Sequence, residues 1–350
     1  VRFLKKLFKW ISVFAALLVI LFLLLLIIPE KETVAKIQPR ESTQYWQMSE
    51  GFRIAYTHLA ATADSSKSPL IFVHGGPGGY IHSSIIETMG ALAQKGYNVY
   101  LYDQRGSGLS DRLPKFSDVS FEKHLQDLHE IITEKIGAEK VILVGQSFGA
   151  NIINHYAAIH PARVEKLVFS SPDIMRPPRR ENGRYVDIDS LYPVPDSLNF
   201  IEPYNFVNEV NLTAAKPKSI VATLGALLLD VKLISDTQMD RMLNTLAGKF
   251  TRGMVCNPNN VFPEEGGGGL YAYLATNNND MPDIRGEIAQ VQAPVLVLQG
   301  QCEYIPFGAA WEYVELYPDA QYRMIKEAGH IIWWEQPDMY IGSIAAFLVK

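Results

Sequence analysis

The sequence predicts an α/β fold: a mostly parallel sheet flanked by helices, with an inserted helical cap and an apolar N-terminal helix. Three observations lead there. Short apolar runs of strand length recur at Leu70–Val73, Val99–Tyr102, 141–144, 167–169 and 295–298, the pattern of strands covered on both faces. Helical periodicity lies between them, clearest in Phe121, Leu125, Leu128, Ile132 and Ile136, which share one face at steps of three and four. A hairpin signal precedes the series, residues 44–48 and 52–58 joined by Ser49-Glu50-Gly51.

Taken in order, the chain opens on an apolar segment, residues 7–28, rich in Leu, Ile, Val and Phe and uncharged after Lys9. As a helix it is long enough to cross a bilayer core of about 30 Å. Arg2, Lys5, Lys6 and Lys9 cluster at its N-terminal end, which predicts a cytoplasmic N-terminus and the remaining chain on the extracytoplasmic side. A cleaved signal peptide is the alternative; its apolar region is ordinarily shorter, and the best cleavage candidate, Thr33-Val34-Ala35, fits poorly. Residues 1–30 are therefore expected to be a transmembrane anchor and 31–42 a polar linker.

The core is expected over 43–172 and again over 291–350, where helices are predicted at 311–316 and 339–348. Between them, 173–290 breaks the alternation and reads as a mostly helical cap. Its tetraglycine, 266–269, reads as a flexible connection, and the stretch Ala226-Leu227-Leu228-Leu229, too short to span a membrane, as cap core.

The 350 residues are 48% hydrophobic and 20% charged with a net charge of −5. No basic bias argues for a nucleic-acid partner. Cys256 and Cys302 are too few for a disulfide framework and lack metal-ligand spacing, while one bridge between them stays open. No metal or cofactor is expected.

The chemistry centres on Gly145-Gln146-Ser147-Phe148-Gly149, directly after an apolar run and before a helical one. A serine between glycines at a strand-to-helix turn is a nucleophile elbow, so tight that positions two before and two after must be nearly free of side chain. A serine hydroxyl needs a base oriented by a third group, and here the partners should follow in the order Ser, acid, His. His58, His74, His82, His124 and His129 precede Ser147, and His155 and His160 lie in the helix it opens, where they are expected along its surface. Only His330 remains, between a strand-like run and the terminal helix. Glu303, just past the run ending at Gly300, is the expected acid; Asp173 is the alternative, and Asp319 reads as a turn residue. The oxyanion donors should be the amides of Phe148 and of the loop His74-Gly75-Gly76-Pro77-Gly78-Gly79, with Gly76 first and Gly75 next. His74, Asp103 and Arg105 are read as structural.

These motifs, together with Tyr102-Asp103-Gln104-Arg105-Gly106-Ser107-Gly108-Leu109-Ser110, resemble α/β-hydrolases of the proline iminopeptidase type from about residue 44 to the end. The resemblance implies release of N-terminal residues from short peptides without a metal. It also implies that cap carboxylates hold the substrate's amino group, the candidates being Glu181, Asp187, Asp189, Glu202, Glu209, Glu264 and Glu265. Two departures stand out. The family's commonest elbow is Gly-Gly-Ser-Trp-Gly, against Gln146 and Phe148 here, and its usual acid is Asp. The expected partner is a short peptide or small acyl substrate, with membrane attachment through the N-terminal helix and no oligomeric state assigned. An esterase or lactonase on the same triad is the first alternative, and a non-catalytic anchored binding protein the second.

Overall fold

The computed structural model describes residues 2–29, 31–62, 67–203, 216–276 and 281–349. After helix α1 (Arg2–Ile27) come β1 (Thr43–Gln47), β2 (Arg53–Leu59), β3 (Leu70–Val73), α2 (Ser83–Gln94), β4 (Val99–Tyr102) and α3 (Phe121–Glu130), which continues as a wider turn over Ile131–Ile136. Then follow β5 (Val141–Gln146), α4 (Phe148–Ile159) and β6 (Val164–Ser170). An insert leads from there to β9 (Val295–Gly300), α10 (Phe307–Leu316), β10 (Ala320–Ile325), α11 (Ile332–Glu335) and α12 (Pro337–Leu348).

Eight strands form one sheet in the order β1-β2-β4-β3-β5-β6-β9-β10. The β1–β2 and β2–β4 pairs are antiparallel and the others parallel. Alternate side chains serve opposite faces, as the pleat requires. Ile71, Leu143, Leu167 and Val297 join one core with α3 and α4, while Phe72, Val144, Val168 and Leu296 join another with α2 and α12. Every residue of β3, β5 and β9 is buried, which is why these runs read as unbroken apolar stretches. From β3 the chain steps to β4 on one side and then to β5 on the other. The loops after β3 and β5 therefore splay apart and leave a crevice at the carboxyl ends of the strands.

The insert is more mixed than the helical segment expected from sequence. It holds a small hairpin, β7 (Arg180–Glu181) with β8 (Arg184–Tyr185), the short α5 (Ile188–Leu191), and then α6 (Pro217–Leu229), α7 (Asp236–Phe250), α8 (Leu270–Thr276) and α9 (Arg285–Ile288).

Four sequence expectations are corrected or resolved here. The tetraglycine is no flexible connection: residues 266–269 are buried in a seam against the core. The Gly267 carbonyl accepts from Gly108 N at 2.7 Å, and the Gly268 and Gly269 amides donate to Asn244 Oδ1 and Gly78 O at 2.8 Å each. A side chain at Gly267 would enter the Tyr80 ring. The apolar run of α6 is not cap core either: Ala226 is buried, but Leu227, Leu228 and Leu229 face outward. His155 does not lie along a surface; it is buried, with Nδ1 2.9 Å from Asn151 O and Nε2 3.2 Å from Pro282 O. Finally, Cys256 and Cys302 form a disulfide, Cα–Cα 5.0 Å, tying the insert to the loop after β9.

Candidate active site

Ser147 joins β5 to α4 with φ +53° and ψ −122°. Positive φ in a non-glycine residue is strained and recurs at functional turns. The flanking glycines have a steric cause. A Cβ on Gly145 would lie 2.6 Å from Gly149 O, and one on Gly149 would lie 2.6 Å from His74 O. Gly145 thus lets β5 close onto the first turn of α4, and Gly149 lets that turn press against the end of β3 and the loop after it. Phe148 opens α4, so its amide has no partner within the helix.

His330 lies between β10 and α11, and Glu303 just past β9; both are buried. His330 Nδ1 is 2.8 Å from Glu303 Oε1, which also accepts from Ile305 N at 3.1 Å. A carboxylate only accepts, so Nδ1 carries the proton and Nε2 presents its lone pair. That lone pair accepts from Gln146 Nε2 at 3.0 Å, and Gln146 Oε1 accepts from Gly75 N at 2.9 Å. Ser147 Oγ makes no hydrogen bond to His330 among the described residues. Tyr304 closes one side of the imidazole, ring centroids 4.7 Å apart.

The alternative acid, Asp173, adjoins Ser147 through its backbone, donating N–H to Ser147 O at 3.2 Å, but its carboxylate accepts from Ile174 N at 2.9 Å and pairs with Arg176 at 3.2 Å, not with His330. His74 donates from Nδ1 to Gly75 O at 2.7 Å and accepts from Gln104 N at 3.0 Å, and burial lowers its pKa to about 4. It is a neutral strut of the glycine loop. Asp103 accepts from Ile81 N and Leu109 N, both at 2.7 Å, while burial pushes its pKa up to about 6. Arg105 grips Asp127 with two bonds of 2.6 and 2.5 Å. Both hold loops beside the site, as read from sequence.

A cavity of about 410 Å³ opens over Ser147 and His330. The glycine loop, with Gly75 and Gly76, forms one wall; Leu243, Asn244, Ala247 and Phe250 of α7 form the roof; Phe72, Met254, Phe262 and Trp333 make much of the rest apolar. Of the candidate amine-binding carboxylates, Glu264 is the one that lines it, among the described residues. Its Oε1 accepts from Tyr80 OH at 2.7 Å and Gly266 N at 2.9 Å, and burial raises its pKa. Glu265 binds Arg40 at 2.6 Å and the Ser83 amide, Asp189 accepts from Gly308 N at 2.7 Å, and Asp187 caps α5. Glu181 and Glu202 are exposed, and Glu209 lies outside the described residues.

Two features escaped the sequence reading. Gln146 stood out only as a departure from an elbow pattern, and nothing local foretold that its amide would bridge Gly75 and His330. Glu335 accepts from Cys256 N and Gly329 N, both at 2.8 Å, and from Asn257 N at 3.0 Å. It clips the insert to the histidine loop, alongside the disulfide.

Residues 68–337 match the alpha/beta hydrolase fold family. A proline iminopeptidase of Saccharolobus solfataricus is 23% identical over 81% of this chain and 85% of its own length. A 2-hydroxy-6-oxononadienedioate/2-hydroxy-6-oxononatrienedioate hydrolase of Paraburkholderia phymatum is 23% identical over 88% of this chain and 96% of its own. Among solved structures, an esterase from Rhodococcus sp. superposes with TM-score 0.60 at 19% identity, covering 88% of this chain and 99% of the esterase.

Proposed function

Because the chain belongs to the alpha/beta hydrolase family, we propose that it is a serine hydrolase acting through an acyl-enzyme. Ser147 Oγ attacks the substrate carbonyl as His330 Nε2 takes its proton; His330 then protonates the leaving group, and water repeats the sequence in reverse roles. Glu303 holds the imidazole in the tautomer this requires and stabilises the imidazolium. The amide of Phe148 and one from the glycine loop receive the oxyanion. The sequence favours Gly76 for this role, whereas Gly75 is supported by its N–H, which already meets an oxygen acceptor beside Ser147. The observation that carries the reading is the 2.8 Å bond from His330 to Glu303 at the edge of the cavity that Ser147 lines.

The leading substrate is the N-terminal residue of a short peptide, the insert serving as the cap. Glu264 supports this: a buried carboxylate whose ionised form is disfavoured gains a partner when an α-ammonium arrives. The largely apolar lining, with that one carboxylate among the described residues, supports esters or lactones as the second reading.

The test compares proline and alanine arylamides with short acyl esters. Wild type should turn over the arylamides, Ser147→Ala should lose all turnover, and Glu264→Gln should raise KM for arylamides while leaving esters unaffected. Turnover of esters alone would replace the peptidase by the esterase. A well-folded wild type that no fluorophosphonate labels would point to the binding protein instead.

We place α1 in the membrane as an anchor. Residues 5–27 are long and apolar enough to cross a bilayer and lie uncovered by the rest of the chain. The disulfide supports an oxidising, extracytoplasmic setting for the catalytic part.

A further inference from the structure

The outward face of α6 and of the turn after it is apolar. Leu227, Leu228 and Leu229 are 63, 74 and 66% exposed, and Ile220, Leu224 and Leu233 are about half exposed. The inward side of the helix is small: Ala222, Gly225 and Ala226 are buried. A helix on a water-facing surface has the reverse arrangement, with large apolar residues inward and polar ones outward. Isolated exposed hydrophobes are ordinary, but a contiguous ridge of this kind marks an interaction surface. The one carboxylate in 217–235, Asp230, is engaged by Ser117 N and Oγ at 2.7 Å each.

Position identifies the occupant. The buried Lys218, in the first turn of α6, donates its Nζ to the carbonyl oxygen of Ile28, just beyond α1, and to Gln238 Oε1 at 2.7 Å. The α6 helix also passes close to α1 without covering it. The first turn of α6 is therefore tied to the end of the uncharged span of α1, and its exposed leucines follow along the same helix.

We infer that α6 lies in the outer interface of the bilayer crossed by α1, with its leucines among the acyl chains. This rests on the reading of α1 as a membrane span. An interfacial helix buries its apolar face by about 5–10 Å at the headgroup boundary, a depth these side chains can occupy while α1 fixes the lateral position. The next helix, α7, roofs the cavity, so the contact seats on the membrane the part of the cap that covers Ser147.

The experiment uses the full chain in phosphatidylcholine vesicles, labelled with nitrobenzoxadiazole at single introduced cysteines with the native disulfide intact. Leu228→Cys reports on α6, Val13→Cys on α1, and Glu139→Cys, at the far end of the sheet, on bulk water. Equal hydrolytic rates in the three proteins establish that the fold is retained. Quenching of both the Val13 and Leu228 labels by doxyl lipids, with the Glu139 label unaffected, is the expected result. Quenching at Val13 with a water-like Leu228 label overturns the docking and leaves the span intact. Blue-shifted Leu228 emission that lipid quenchers do not reach means that a second copy covers the face, and also overturns it. Without quenching at Val13 the span reading fails, and the docking that rests on it falls with it.

Discussion

Gln146 donates its side-chain amide to His330 Nε2 at 3.0 Å, so the lone pair proposed to accept the Ser147 proton is already engaged. The carboxamide oxygen meanwhile occupies the Gly75 N–H. The side chain thus lies as an acyl amide would, oxygen on a loop amide and nitrogen toward His330, and under the proposed mechanism it swings away when substrate binds. Gln146→Ala removes a hydrogen bond of about 1 kcal/mol. Fluorophosphonate labelling of Ser147 should accelerate by about fivefold, the rate equivalent of that energy. An unchanged or slower rate would mean that the bridge orients the base rather than occupying it.

Glu303→Gln keeps the shape of the acid but can donate to Nδ1 and so favour the wrong tautomer. A loss of about 10⁴-fold in kcat is expected, by analogy with triads whose acid is amidated. Glu303→Asp should recover part of it, since the family's usual acid is Asp. If Glu303→Gln retains wild-type kcat, the orienting role is lost.

Glu335 should matter although it touches no substrate. Glu335→Ala leaves the amides of Cys256, Asn257 and Gly329 without their acceptor. The expected cost is about 2 kcal/mol in denaturant unfolding, together with a lower kcat because Gly329 precedes His330, the proposed base. Wild-type stability would show that the disulfide alone holds this junction.

Gly267→Ala tests the buried seam. The new methyl group would enter the Tyr80 ring, and overpacking of this kind costs about 1–3 kcal/mol. Gly286→Ala, with open space at its Cβ, is the control and should unfold with the wild type. Equal midpoints for the two variants would contradict the seam.

Acid should destabilise the fold in part through His124. Burial lowers its pKa from 6.5 to about 3, so the folded state keeps it neutral while the unfolded chain protonates it. Its contribution is complete above pH 6.5 and is lost as the pH falls toward 3. At pH 5 the loss is about 2 kcal/mol. His124→Leu should therefore show a fall in unfolding free energy between pH 7.5 and 5 that is smaller by about that amount, measured by denaturant titration at both values. An identical fall in variant and wild type would reject the buried-neutral assignment.

Much of the site was legible because its parts are local. A strand, a glycine-flanked serine and a helix in succession announce the elbow from sequence, and chain order left His330 as the only eligible base. The choice between Glu303 and Asp173 was different in kind. Both follow strands, and only the approach of the loops after β9 and β10 brings one of them to the imidazole. The same holds for the amine-binding candidates: seven carboxylates look alike in sequence, and the cavity wall takes up Glu264. The tetraglycine misled because glycine permits both mobility and close approach, and which applies depends on what lies 3 Å away. For α6, apolarity alone suggested a core helix; the small residues at Ala222, Gly225 and Ala226, spaced for one face, were the signal that its large residues turn outward.

By itself, then, the sequence determined the α/β class, the apolar N-terminal helix, and the succession of serine, acid and histidine, all properties of short segments and of chain order. The tertiary structure decided which acid meets His330, that Gln146 bridges it to Gly75, which carboxylate reaches the cavity, and that α6 faces away from the protein. Those depend on distances between segments far apart in the chain, and on which side of a helix the rest of the molecule covers.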